Sequence, residues 1–137
     1  MTPEGTAADT TPTTLERALP RYGSAYLLTV SDAARPHVVE VSASLAAGLL
    51  EVGGHGRRSA SNARARPEVT VLCPAVVPGG HALIVDGRAS VAEDRLFLTV
   101  TRAILHRSGE PEASDVTAPG DAGRCVADCV ELAFAHE

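Results

Sequence analysis

The residues with the clearest chemical capacity lie together at Val52-Gly53-Gly54-His55-Gly56-Arg57-Arg58-Ser59. Glycines at the end of a strand let another group approach the backbone closely, and the start of a helix offers N–H groups that lack intrahelical acceptors. With a hydroxyl from Ser59 and guanidiniums from Arg57 and Arg58, this segment suits a phosphate. One arginine about 4 Å from a phosphate charge gains on the order of 4 kcal/mol at an effective dielectric of 20, before desolvation. The same string also reads as a solvated loop carrying two exposed arginines, and composition alone favours that plainer reading.

Other chemistries find little support. The 137 residues contain no lysine, so all twelve basic residues are arginine. That removes a Schiff-base lysine, a lysine-anchored cofactor and a lysine-containing P-loop. The three cysteines, Cys73, Cys125 and Cys129, form no CxxC pair, and His37, His55, His81, His106 and His136 show no HxxxH or HExxH spacing. Neither a zinc site nor a disulfide framework is signalled, and buried thiols are the expectation. On an extended strand Cys125 and Cys129 would stand about 13 Å apart, beyond disulfide reach. No G-x-S-x-G elbow marks a serine hydrolase, so no catalytic side chain is assigned. The formal net charge of −5 and the four aromatic residues Tyr22, Tyr26, Phe97 and Phe134 argue against nucleic acid as a partner. No apolar run reaches the ~18–20 residues that cross a bilayer, and the first residues lack a secretory pattern, so a cytoplasmic location is expected.

The elements that must position the arginine segment follow from periodicity and punctuation. A disordered tail is expected over residues 1–12 and one domain over 13–137, because a chain of this length hides roughly 65–70% of its unfolded surface in a single core. Thr13 and Thr14 before Leu15 and Leu19 read as a capped short helix limited by Pro20. Ala25 to Val30 and His37 to Leu45 read as a hairpin, the second strand turning Val39, Val41, Ala43 and Leu45 one way and Glu40, Ser42 and Ser44 the other. Ala46-Ala47-Gly48 turns into a third strand, Leu49 to Gly53. A short helix is expected over Ser59 to Arg66, with Ser59 offered near its start as the cap and the helix stopping before Pro67. Val69 to Cys73, then Ala82 to Val91 with a bulge at Gly87, then Arg95 to Val100 give three more strands. Thr101 to Arg107 reads as a helical turn, 108–123 as a mobile acidic loop, and Cys125 to Phe134 as a closing strand. The class is therefore mainly β, an antiparallel barrel of six to seven strands with one to three short helices.

Laid out this way, the sequence resembles the pyridoxamine 5′-phosphate oxidase-like, FMN-binding split-barrel family, whose members include deazaflavin-dependent reductases. The resemblance runs from about Tyr22 to Arg107. It rests on Ala25-Tyr26-Leu27-Leu28-Thr29-Val30, Arg35-Pro36-His37-Val38-Val39, the Val52 to Ser59 segment with Asn62-Ala63-Arg64-Ala65-Arg66-Pro67, and Leu83-Ile84-Val85-Asp86-Gly87-Arg88-Ala89. It implies a homodimer of split barrels with one flavin per subunit at the dimer interface. By position, Arg58 matches the central arginine of the family's Ser-Arg-Lys phosphate motif, Arg57 replaces its serine and Ser59 its lysine. His37 stands where the oxidases commonly carry arginine, and Ser42 at another customary basic position. Cys125 to Glu137 replaces the Arg-Leu-containing segment that oxidases use for pyridoxamine phosphate.

The expectation is an FMN- or deazaflavin-dependent oxidoreductase acting on a small molecule, with the cofactor carrying the electron or hydride chemistry. Its cofactor-binding set is His37, Ser42, Gly53, Gly54, His55, Gly56, Arg57, Arg58 and Ser59, with His37 and Ser42 lining the polar face. His106 and Arg107 are candidates for reaching a partner subunit's site or a substrate, His106 reading equally as a helix C-terminal dipole partner. The alternative is a non-catalytic dimeric protein that binds or senses a flavin or haem, or a scaffold without cofactor.

Overall fold

The computed structural model describes residues 11–108 and 128–135. The expected tail over 1–12 falls almost wholly outside the described residues, as do Cys125, His136 and all but the first residue of the acidic loop 108–123.

The chain opens with helix α1 (Leu15–Ala18), where the Thr14 hydroxyl accepts from the Arg17 N–H at 3.3 Å, followed by a 3-10 turn over Leu19–Arg21. Pro20 fits that turn because its missing N–H would have no intrahelical acceptor there. Seven strands follow: β1 (Ala25–Val30), β2 (Pro36–Ala46), β3 (Leu49–Gly53), β4 (Glu68–Cys73), β5 (Ala82–Ala92), β6 (Arg95–Arg107) and β7 (Asp128–Glu131). Helix α2 (Gly56–Ala65) lies between β3 and β4.

The strands pair antiparallel in the order β3-β2-β1-β4-β5-β6-β7, and β3 also pairs with the first half of β6. Six strands thus close a barrel, and β7 extends the second half of β6. At the closing seam Arg95 donates two bonds to Glu51, at 3.0 and 3.1 Å, and lies over the Phe97 ring. Alternation sets the interior: Leu27, Val41, Leu50, Val52, Val71, Leu83, Val85, Leu96, Leu98 and Leu105 are buried in one cluster. Leu15, Ala18 and Leu132 belong to it too, because Leu15 N–H bonds Ala133 O at 2.8 Å and Ala133 N–H bonds Thr13 O at 3.0 Å, clipping α1 and the segment after β7 to each other.

Three sequence expectations change. Helix α2 starts at Gly56, not Ser59. Gly54 (φ +79°) and Gly56 (φ +82°) turn the backbone sharply, so no serine cap is needed and Ser59 is carried inside the first turn. Residues 101–107 are strand, the continuation of β6. The register with β5 shifts between Asp86 and Gly87, where Gly87 faces Val100 and Asp86 faces Arg102, leaving Thr101 as the extra residue. Inward positions therefore run Leu96, Leu98, Val100 and then Ala103, Leu105, a spacing that imitates a helix. The bulge at Gly87 itself is where the sequence puts it. Finally, the closing strand ends at Glu131 and not at Phe134, residues 125–127 of its expected start lying outside the described residues.

Candidate functional site

The handover from β3 to α2 builds the site. Gly53 pairs in register with Ser42 of β2, and a Cβ on Gly53 would stand 3.0 Å from Ser42 Oγ, so the two strands meet closely there. His55, between the two left-handed glycines, is buried. Its Nδ1 lies 3.2 Å from the Val52 carbonyl oxygen and therefore carries the proton.

The start of α2 has no side-chain cap and no acidic residue in its first turn, which instead contains Arg57 and Arg58. Two cations at the positive end of a helix dipole oppose it by roughly 0.3–1 kcal/mol each. An anion seated there would reverse the sign of that term and accept from the unpaired first-turn N–H groups.

Successive helical residues diverge by about 100°, so the Arg57-Arg58-Ser59 triplet fans out rather than converging on one region. Arg57 lines a cleft of ≈ 560 Å³ together with Gly54, His55, Gly56, Ser61 and Arg64. Arg58 lies one turn before Asn62 on the neighbouring helix face. That face meets β1, for Asn62 Nδ2 donates to Thr29 Oγ1 at 3.0 Å and Arg66 reaches the Val30 carbonyl and Asp32, the latter at 2.7 Å. Ser59 points beneath the helix, wholly buried, with its hydroxyl unpartnered.

His37 and Ser42 do not share a face. Residues five apart on a strand face opposite ways. His37 lies on the inward side of β2, in register with Thr29, with its Nδ1 buried and unpartnered. Ser42 is exposed and borders a cavity of ≈ 180 Å³ that Tyr22 and Cys73 also line. His106 and Arg107 stand on the far half of β6. His106 ends no helix but faces Cys129 of β7, with Nδ1 and Sγ 3.2 Å apart. Cys129 is exposed, against the expectation of buried thiols, whereas Cys73 is buried.

The structure adds residues that the local sequence did not single out. Arg64 and Ser61 follow Arg57 at helical spacing, a relation hidden as long as the helix was started at Ser59. Glu93 and Asp94, in the β5–β6 turn, form the opposite wall of the cleft, and Arg64 Nη2 holds the Glu93 carbonyl at 3.3 Å. The cleft is thus cationic on its helical wall and acidic on its hairpin wall. A cavity of ≈ 430 Å³ between the α1 turn and the β2–β3 hairpin has Glu16 as its charged lining residue, the wrong sign for a phosphate.

Burial pushes the Cys73 thiol up to about 11, and burial, aided by Cys73, raises the Tyr22 phenol, whose hydroxyl donates to the His81 carbonyl at 2.9 Å. Both groups are held in their neutral forms. Among the described residues no group of three His, Cys, Asp or Glu side chains is arranged to hold a metal, and no helix is long and apolar enough to cross a membrane.

No family model matches the chain. Two uncharacterized proteins, one of Mycobacterium bovis and one of Mycobacterium tuberculosis, are each 37% identical to it over 132 residues, covering 85% of this chain and 89% of the relative. Among solved structures, a Listeria innocua protein provisionally called a pyridoxamine 5′-phosphate oxidase superposes with a TM-score of 0.55 at 18% identity, over 64% of this chain and 90% of that one. An F420 reductase superposes with a TM-score of 0.49 at 19% identity, over 66% of this chain and 94% of that one. The first of these superpositions fixes the architecture as a split barrel.

Proposed function

We propose, starting from the fact that this chain belongs to the same family as the two uncharacterized mycobacterial proteins, that it is a flavin- or deazaflavin-type oxidoreductase which holds its cofactor by a phosphate at the start of α2. One observation carries the reading: an uncapped helix start with Arg57 over a cleft of ≈ 560 Å³, inside the ≈ 300–1,000 Å³ range of small-molecule sites.

The donors present fit a phosphate. The first-turn N–H groups supply directional bonds, Arg57 a charge-assisted one, and Arg64 a second cation seven residues further along the same wall. Arg58 is one helix face away and supports the field rather than the contact. Ser59 is withdrawn beneath the helix, so no role in binding is assigned to it. Ser42 lies against Gly53 and borders another cavity, so neither is assigned a contact in the α2 cleft, where Gly54 and Gly56 supply the backbone lining instead. The bound group would supply electron or hydride transfer, while this chain binds, orients and shields it. FMN and a deazaflavin phosphate both satisfy these donors. The acidic wall at Glu93 and Asp94 repels negative charge beyond that one phosphate, so a cofactor tail carrying further carboxylates is disfavoured.

The partner in this reading is a second copy of the chain. On the outer sheet face Tyr26, Leu72 and Ile84 stand in register across β1, β4 and β5, with Leu28 and the 53%-exposed Val38 in the next row. Glu40 beside Tyr26, and Thr70 and Asp86 beside Leu28, rim these side chains on the same face, and an apolar patch with a polar rim favours association. Sedimentation velocity should give a dimer that Leu72→Asp converts to monomer; a monomeric wild type would remove the dimer from the proposal.

The visible spectrum of freshly purified protein, followed by titration with FMN and a deazaflavin and by addition of an electron donor, tests the function. A bound cofactor that a donor reduces supports the oxidoreductase. Bound cofactor that no donor reduces supports a non-catalytic binding protein instead, and a colourless protein without affinity for either supports a scaffold.

A further inference from the structure

Cys129 and His106 lie 23 residues apart in sequence and directly opposite one another in the β6–β7 ladder. Residues opposed in an antiparallel pair share a face, and this face is the outer one, since Ala103 and Leu105 carry the inward positions of β6. The sulfur is exposed and 3.2 Å from Nδ1. A ring nitrogen at that distance from a thiol can accept its proton as the sulfur attacks, the arrangement that activates nucleophilic cysteines. Charge on this face of β5, β6 and β7 is internally paired: Arg102 lies 3.9 Å from Asp86 and 3.5 Å from Glu131. Among the described residues, His106 is the base in contact with Cys129 on that face. Cys73 provides the contrast within the same molecule, being buried in the core with no accessible surface for a reagent.

We propose that the Cys129–His106 pair is a modification site at which the chain takes an oxygen atom from a hydroperoxide. The Cys129 S–H proton passes to His106 Nδ1 as the sulfur attacks the distal peroxide oxygen. The S–O bond forms and the O–O bond breaks. Sulfur is oxidised by two electrons to a sulfenic acid, and the peroxide is reduced to water or an alcohol, whose oxygen collects the proton from His106. This site is separate from the α2 cleft and acts without any cofactor.

The test uses the full chain carrying Cys125→Ser, so that Cys129 and Cys73 are the only thiols. Iodoacetamide alkylation at pH 7 is followed by peptide mass spectrometry, native and in 8 M urea, and hydrogen peroxide treatment is followed by dimedone trapping. Native Cys129 should react about tenfold or more faster than the same residue in urea, and His106→Asn should remove that advantage. Dimedone should label Cys129 and leave Cys73 unlabelled. Native Cys129 reacting no faster than in urea, an unchanged rate in a folded His106→Asn protein, or no sulfenic acid at Cys129 would each overturn the proposal. The urea comparison needs no histidine variant, so misfolding of His106→Asn does not shelter the idea.

Discussion

Replacing Gly87 by alanine probes how the barrel accommodates its bulge. A Cβ there would lie 2.8 Å from the Thr99 carbonyl oxygen and 3.1 Å from both Cβ and Cδ2 of Leu98. Leu98 Cδ2 belongs to a flexible side chain, but Thr99 O is backbone of β6 and cannot rotate away. The two strands must separate by several tenths of an ångström at the point where their register shifts. Overpacking of this kind costs typically 1–3 kcal/mol, while alanine's stiffer unfolded chain returns about 0.4–1 kcal/mol. The net expectation is a loss of roughly 1–2 kcal/mol, or about 3–10 °C in Tm for a chain of this size. Urea and thermal denaturation followed by circular dichroism measure it, with Gly23→Ala as the control because nothing lies within 4 Å of a Cβ there. A Gly87→Ala protein as stable as wild type, or a Gly23→Ala protein equally destabilised, would refute the steric account of the bulge.

The pH dependence of stability should carry the mark of Cys73. Its folded value, about 11, exceeds the unfolded value of 9.0, so the folded state keeps a proton that the unfolded state releases. Its contribution is intact below pH 9 and is lost between pH 9 and 11, by up to about 3 kcal/mol, which urea midpoints at pH 8 and 10.5 should register and Cys73→Val should substantially reduce, the raised Tyr22 phenol supplying the remainder. Asn62→Ala removes the donor to the buried Thr29 hydroxyl and should cost about 1–3 kcal/mol in the same assay. A change below about 0.5 kcal/mol would mean that Thr29 finds another partner.

Strand alternation made much of the barrel legible. Val39, Val41, Ala43 and Leu45 against Glu40, Ser42 and Ser44 gave β2 its faces, and Gly87 gave the bulge. The consequence of that bulge one strand away was not legible, because the inward positions Val100, Ala103 and Leu105 of β6 then follow a spacing that a helix would also show. The start of α2 was hidden for a different reason. Left-handed Gly54 and Gly56 do the work that sequence reasoning assigned to a serine cap, and this shift of three residues decides where Arg57, Arg58 and Ser59 point. Glu93 and Asp94 join the site because a hairpin turn meets helix α2, and Cys129 meets His106 because β7 pairs with the far half of β6; no local pattern encodes either meeting.

The phosphate-holding role of the α2 start is tested most directly by titrating wild type and Arg57→Ala with FMN, with a deazaflavin phosphate and with riboflavin, which has the same ring system as FMN but no phosphate. Wild type should bind a phosphorylated form more tightly than riboflavin, and Arg57→Ala should erase about 1.5–3 kcal/mol of that preference, roughly 10- to 150-fold in Kd, while leaving riboflavin affinity unchanged. Equal affinities for FMN and riboflavin in wild type, or a phosphate preference that survives in Arg57→Ala, would contradict it.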